Sequence, residues 1–133
     1  GILSIAAWKL WQTPITAIDN DAESVRVAEK YRDINGVNAS AGGMTCAVGD
    51  GFQAALCQQK KPYDLIIANI LAGPLIEMAP DVKAVCDELG QVILSGMLRT
   101  QAADVRAAYE AQGFTVDRQI DIDKWSSLVL LNK

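Results

Sequence analysis

Residues 63–77 read "YDLIIANILAGPLIE", and the fold turns on how that stretch divides. "YDLIIAN" (63–69) is a short apolar run without helical periodicity, the pattern of a strand buried among others. The residues from 73 onward, "GPLIEMAPDVKAVCDELG", read as a helix. Pro74 suits its first turn, where the missing N–H would have had no intrahelical acceptor. Pro80 should kink or split it. Between strand and helix stands a polar amide, Asn69, followed by two large apolar residues, Ile70 and Leu71. A strand running straight into a helix is one step of an alternating α/β chain, and the question is what an asparagine does at its end.

The same alternation continues on both sides. Upstream, "ILSIAAWKLW" (2–11) is helical, "ITAID" (15–19) is a short strand, and "DAESVRVAEKYRDING" (21–36) is a helix. Asp21 is placed to cap that helix, Ala22, Val25, Ala28 and Tyr31 share a face, and Asn35-Gly36 supply a left-handed stop. "MTCAVGD" (44–50) is a further strand. Downstream come the strand "GQVILSG" (90–96) and the helix "TQAADVRAAYEAQG" (100–113), with Thr100 as cap and Gly113 as stop. "FTVDRQIDI" and "WSSLVLLNK" then form two strands with no helix between them. They must be antiparallel, because a parallel crossover needs a dozen or more residues. The reading is an α/β, Rossmann-like, doubly wound and mostly parallel sheet ending in an antiparallel strand pair, with "LIIA" and "VILS" buried on both sides.

Composition limits the function. Half of the 133 residues are apolar, 21% are charged and the net charge is −4. A negative chain is a poor electrostatic partner for nucleic acid or anionic membrane, so neither is expected to bind directly. No apolar run reaches the roughly 20 residues of a membrane span, and no basic-then-apolar leader opens the sequence. Cys46, Cys57 and Cys86 are widely spaced and odd in number, as for reduced thiols in the cytoplasm. There is no histidine, which removes histidine-based nucleophile chemistry and the commonest metal ligand, and no metal site is expected.

Sheets of this kind bind ligands outside the carboxyl ends of their strands. Asp19, Asp50 and Asn69 end three of the strands. Each could be an ordinary turn residue or cap, but three at one edge point to a site. Asp19 also follows Gly1 by 18 residues. A glycine turn, a helix and then an acid is the arrangement that sets a carboxylate on a ribose diol. Nicotinamide-dependent oxidoreductases and methyltransferases share it.

"GILSIAAWKLW" followed by "ITAIDNDAESVRVAEK" resembles the first cofactor motifs of class I S-adenosylmethionine-dependent methyltransferases, with only the last glycine of the Gly-x-Gly-x-Gly loop present, as Gly1. The closing antiparallel pair fits the same fold. "DLIIANILAGPLIEMAP", "VILSGMLRTQAADVRAAYEAQGF" and Trp125 resemble more closely the bacterial ribosomal-protein methyltransferases, which methylate lysine and N-terminal amino groups of the stalk-base protein of the large subunit. The resemblance covers essentially all 133 residues. It implies S-adenosyl-L-methionine as cofactor, with Asp19 on the ribose hydroxyls, Gly1 under the methionine part and Asp50 in the adenine region. Asn69 falls where amine methyltransferases carry Asn-Pro-Pro-aromatic beside the substrate nitrogen, so the resemblance gives it both a catalytic and a cofactor-side place. Here Ile70 and Leu71 replace the prolines. They either line a channel for a lysine stem or belong to the core.

A nicotinamide-dependent oxidoreductase and a non-catalytic ribosome-docking module remain as alternatives, although the first leaves "ANILAGPL" unexplained. The resembled fold orders its sheet 3-2-1-4-5-7-6, with strand one immediately before the glycine loop. No such strand precedes Gly1. The 133 residues are therefore expected to be an N-terminally truncated methyltransferase domain of a longer enzyme, with two strand edges open and little activity alone.

Overall fold

The computed structural model describes residues 1–39 and 42–133. The chain forms two compact units, residues 1–60 and 61–133. The first holds helix α1 (Ile2–Trp11), strand β1 (Ile15–Asp19), helix α2 (Ala22–Ile34), strand β2 (Met44–Val48), a 3-10 turn (Gly51–Gln53) and helix α3 (Ala55–Lys60). β1 and β2 pair in parallel, from Ile15 opposite Met44 to Asp19 opposite Val48. Ile5 of α1, Ala28 of α2, Val37 and Met44 are buried together, with Trp8, Ile15, Ala17 and Cys46 against them. Asp21 caps α2 as expected, accepting from the Ser24 N–H at 3.1 Å and the Ser24 hydroxyl at 2.7 Å. Gly36, at φ 70°, turns the chain out of the helix. Tyr31 departs from the expected core face and is half exposed. Only Val25 and Ala28 of that row are buried.

The second unit holds strand β3 (Tyr63–Asn69), helices α4 (Ala72–Glu77) and α5 (Ala79–Val85), and strand β4 (Cys86–Leu98). A 3-10 turn (Arg99–Gln101), helix α6 (Ala102–Ala111) and strands β5 (Thr115–Ile122) and β6 (Trp125–Leu131) follow. Its sheet runs β3-β4-β6-β5, with β3 and β4 parallel and β6 antiparallel to both neighbours. Ile66, Val92, Leu94, Leu128 and Leu130 are buried, as are Leu75, Val82, Val85, Val105 and Tyr109 from the helices. The Tyr109 hydroxyl donates to the Leu75 carbonyl at 2.9 Å and so ties α6 to α4.

The expected 73–90 helix breaks in two at Met78, just before Pro80, and ends at Val85. Its last five residues are strand instead: Cys86 pairs with Tyr63 of β3, and Asn132, from the far end of the chain, bonds their backbone. Asn132 N–H donates to the Gly90 carbonyl at 2.9 Å, and its side-chain amide donates to the Asp87 carbonyl at 2.8 Å. Thr100 is not the cap of α6. A 3-10 turn precedes that helix, and the Gln101 side chain accepts from the Leu98 N–H at 2.9 Å. β3 is also less covered than its composition suggests. Ile66 is buried, but Ile67 on the opposite face is 36% exposed. No helix among the described residues is long and apolar enough to cross a membrane.

Candidate functional site

Asp19 and Asn69 fall at carboxyl ends of parallel strands, Asp50 lies just past the end of β2, and Gly1 stands at the start of α1. In the first unit Asp19 closes β1, and the Gly49 N–H donates to its carbonyl at 3.0 Å, so the ends of β1 and β2 are joined. The Asp19 Oδ1 accepts from the Asp21 N–H at 2.9 Å. That bond holds the exposed carboxylate while leaving its other oxygen available. Asp21 next to it is engaged in capping α2. The Ser24 hydroxyl first, then the Ser24 and Glu23 N–H groups, hold its carboxyl below the usual range. Of the two neighbouring acids, Asp19 is thus the one with an oxygen to offer a ligand.

Asp50 lies two residues beyond β2, which ends at Val48 rather than at the acid. It occupies the cap position of the 3-10 turn, where its carbonyl accepts from the Gln53 N–H at 3.0 Å and its side chain makes no capping bond. Its carboxylate is exposed. Gly1 begins α1, and its carbonyl accepts from the Ile5 N–H at 3.0 Å. A Cβ on Gly1 would fall 2.8 Å from the Cβ of Ala28. Glycine is required there because α1 starts hard against α2.

Asn69 ends β3 opposite Ser95 of β4, and the Ile70 N–H continues the ladder to the Ser95 carbonyl at 3.2 Å. Next to Ser95, Gly96 adopts φ 91°. A Cβ there would sit 2.9 Å from the Asn69 Oδ1 and would also strike the Ile70 carbonyl. Gly96 therefore makes room for both acceptors to lie side by side. Asn69, Ile70, Leu71, Gly96, Trp125 and Ser126, among others, line a cleft of about 580 Å³. Leu71 is 72% exposed, so it belongs to the cleft and not to the core.

Sequence reasoning did not place Trp125 and Ser126 in this cleft. Trp125 and Ser126 begin β6, opposite Leu98 and Met97. The Ser126 hydroxyl donates to the Asp121 Oδ1 at 2.7 Å, and the Gln119 amide donates to the same oxygen at 3.2 Å. With the Arg99 guanidinium 3.6 Å from the other oxygen, these contacts hold the Asp121 carboxyl below its ordinary range, the Ser126 bond contributing most. A glycine inside an apolar strand signals close backbone approach, and "ILSGML" carries that sign at Gly96, unread in the sequence analysis. Nothing local marks Asp121, whose role depends on cross-strand register.

A family model for ribosomal protein L11 methyltransferase (PrmA) matches residues 1–133. The chain belongs to that family. It is 42% identical over 130 residues to the ribosomal protein L11 methyltransferase of Caulobacter sp. (strain K31), covering 98% of this chain and 43% of that protein. Against the same enzyme of Rhodopseudomonas palustris (strain BisB5) it is 43% identical over 131 residues, again covering 98% and 43%. The chain thus spans less than half the length of these curated relatives. The crystal structure of ribosomal protein L11 methylase from Lactobacillus delbrueckii subsp. bulgaricus superposes with a TM-score of 0.88 at 30% identity, over 98% of this chain and 64% of that one. An RNA methyltransferase from Salinibacter ruber, solved with S-adenosyl-L-homocysteine, shares the fold at a TM-score of 0.72 and 16% identity, over 98% of this chain and 73% of that one. Membership in the L11 methyltransferase family separates the chain from the nicotinamide-dependent enzymes that share its Gly-to-Asp spacing.

Proposed function

We propose that the chain is the catalytic part of an S-adenosyl-L-methionine-dependent N-methyltransferase of the cytoplasm. Its substrates are lysine and N-terminal amino groups of ribosomal protein L11. The observation that carries this reading is the Asn69 Oδ1, set beside the Ile70 carbonyl at the end of β3 in an apolar-walled cleft. Two acceptors side by side suit a nitrogen that carries hydrogens.

The residues of the first unit fit the cofactor. Asp19 offers a fixed carboxylate for ribose hydroxyls, Gly1 at the start of α1 is assigned to the methionine part, and Asp50 stands exposed beyond β2 for the adenine region. When bound, S-adenosyl-L-methionine supplies a methyl group already activated by its sulfonium. The chain's own task is then to deliver a neutral amine in the right direction. A lysine of pKa about 10.4 lies about 4.6 kcal/mol from its neutral form at pH 7. Ile70 and Leu71 lower that cost by withdrawing the amine from water, since desolvation disfavours the charged form. Asn69 and the Ile70 carbonyl accept the remaining N–H hydrogens and so aim the lone pair. No strong base is required, in keeping with a chain without histidine.

The test is mass spectrometry of ribosomal protein L11 after incubation with S-adenosyl-L-methionine and the complete polypeptide that carries these residues. Methyl increments on amino groups are expected. An L11 that stays unmodified rejects the reading, and preferential binding of NAD over S-adenosyl-L-homocysteine would favour the oxidoreductase.

A further inference from the structure

A second cavity, of about 790 Å³, has charged walls and continues from the Asn69 cleft along the same two strands. Ser95 and Gly96 of β4 line the cleft, and Leu98, Arg99 and Thr100, just beyond, line the cavity. Across from them, Ser126 of β6 lines the cleft, while Asp121, Asp123 and Lys124, around the β5–β6 turn, line the cavity. The step from one to the other is roughly three residues of strand, or about 10 Å. The charges in this cavity are not equally free. Asp121 is committed: its Oδ1 accepts from the Ser126 hydroxyl and the Gln119 amide, and its Oδ2 faces the Arg99 Nε at 3.6 Å. Arg99 directs one further nitrogen at the Asp123 carbonyl, 3.4 Å away, and its remaining Nη has no acceptor among the described residues. Lys124 leans its ammonium on the neighbouring indole, and among the described residues it pairs with no carboxylate. Asp123, at φ 53° in the turn, likewise pairs with no cation among the described residues. Two cations with donors to spare therefore stand against one uncommitted acid.

We propose that this cavity is a subsite for an acidic side chain of the substrate polypeptide, held between Arg99 and Lys124 about three residues from the amine that enters the Asn69 cleft. This rests on the amine-methyltransferase reading above. A lysine carried on a polypeptide brings its flanking chain with it, and that chain has to run along the rim of the cleft. A carboxylate is the side chain that can accept from a guanidinium N–H and an ammonium at once, by charge-assisted hydrogen bonds. Both cations stand on the exposed surface. Each pair there contributes little affinity, because water and salt screen it. Its effect is on choice: complementary charge fixes register and penalises the wrong partner. A lysine with an acid at that spacing is drawn in, and one with a second lysine in its place is turned away.

The experiment uses the complete polypeptide, saturated with S-adenosyl-L-homocysteine, and acetylated, amidated peptides with one central lysine. The peptides differ only in carrying Glu, Gln or Lys about three positions to either side, and binding is followed by NMR at low salt. The Glu peptide is expected to bind about 2- to 30-fold more tightly than the Gln peptide, which two exposed ion pairs supply together, with the Lys peptide weakest. Lys124→Glu, at an exposed position, should reverse that order. Asp123→Asn keeps a residue that tolerates the left-handed turn and should tighten the Glu peptide about 2- to 5-fold. Equal binding of the Glu and Gln peptides, a preference for the Lys peptide, or an order unchanged in Lys124→Glu overturns the proposal. The methylation assay on ribosomal protein L11 is read separately. Methylation of L11 with no Glu preference sinks only the acidic subsite, whereas a Glu preference that reverses with Lys124→Glu while L11 stays unmethylated leaves the carboxylate site standing and sinks the enzymatic reading.

Discussion

At the scale of single residues, Asp19 and Asn69 occupy equivalent places at the ends of parallel strands and should behave differently. Asp19 has one oxygen fixed by the Asp21 N–H and one free. A carboxylate that grips a diol makes charge-assisted bonds, so Asp19→Ala in the complete polypeptide should weaken S-adenosyl-L-methionine binding about 30- to 1,000-fold. Calorimetry reads this directly, and unchanged affinity would remove Asp19 from the ribose. For Asn69 the expected signature is a split: Asn69→Ala should lower the methylation rate more than it lowers cofactor affinity. Normal turnover would reduce Asn69 to a strand terminus, and equal losses in rate and affinity would move its main role to the methionine end of the cofactor. Gly96 explains why the amide lies where it does. At φ 91° beside the Asn69 Oδ1, no larger residue fits without shifting an acceptor.

Among the elements, the helices of the second unit are joined by one buried hydrogen bond whose removal has a calculable cost. Tyr109 is fully buried, and its hydroxyl donates to the Leu75 carbonyl of α4. Tyr109→Phe keeps the ring but leaves that carbonyl unpaired, and should destabilise the protein by about 1–3 kcal/mol in denaturant titration. The same burial raises the phenol's pKa above its ordinary 10.0. The folded state therefore holds the phenolic proton more tightly than the unfolded state does. Stability from this group is complete below pH 10 and declines as pH rises toward the folded value. Tyr109→Phe should flatten that alkaline decline, and an identical slope in wild type and variant would show that another group causes it. The break between α4 and α5 follows from Pro80, whereas the strand backbone past Val85 is bonded by Asn132. One is written locally and the other arrives from 46 residues away, where the Asn132 amide also reaches the Cys86 carbonyl at 3.5 Å.

For the whole molecule, the described strands form two sheets, β1-β2 and β3-β4-β6-β5, and β1 does not pair with β3. β1 and β3 each pair on one side only, and an unpaired strand edge invites association with other chains. The curated relatives are more than twice as long as the stretch they share with this chain. We expect the 133 residues alone to bind S-adenosyl-L-methionine poorly and to leave ribosomal protein L11 unmethylated, while the complete polypeptide does both. Micromolar cofactor affinity in the isolated 133 residues, measured by calorimetry, would contradict this.

The alternation of strands and helices, the Asp21 cap, the stops at Gly36 and Gly113 and the closing antiparallel pair were all legible in the sequence. Each rests on a local rule: apolar periodicity, a side chain that can bond its own helix's N–H groups, or the absence of a Cβ. The positions of Asp19 and Asn69 were legible for the same reason, since a polar residue closing an apolar strand marks the strand's end. Helix α3 went unread, because a single turn and a half with only Cys57 fully buried carries too little periodicity. Tertiary structure alone decided the rest. The strand at 86–90 pairs with Tyr63 and is bonded by Asn132, and register sets Asp121 beside Ser126 and brings Trp125 into the same cleft as Asn69. Those contacts join residues far apart in the chain, and no rule of local spacing encodes a partner that only the closed sheet brings near.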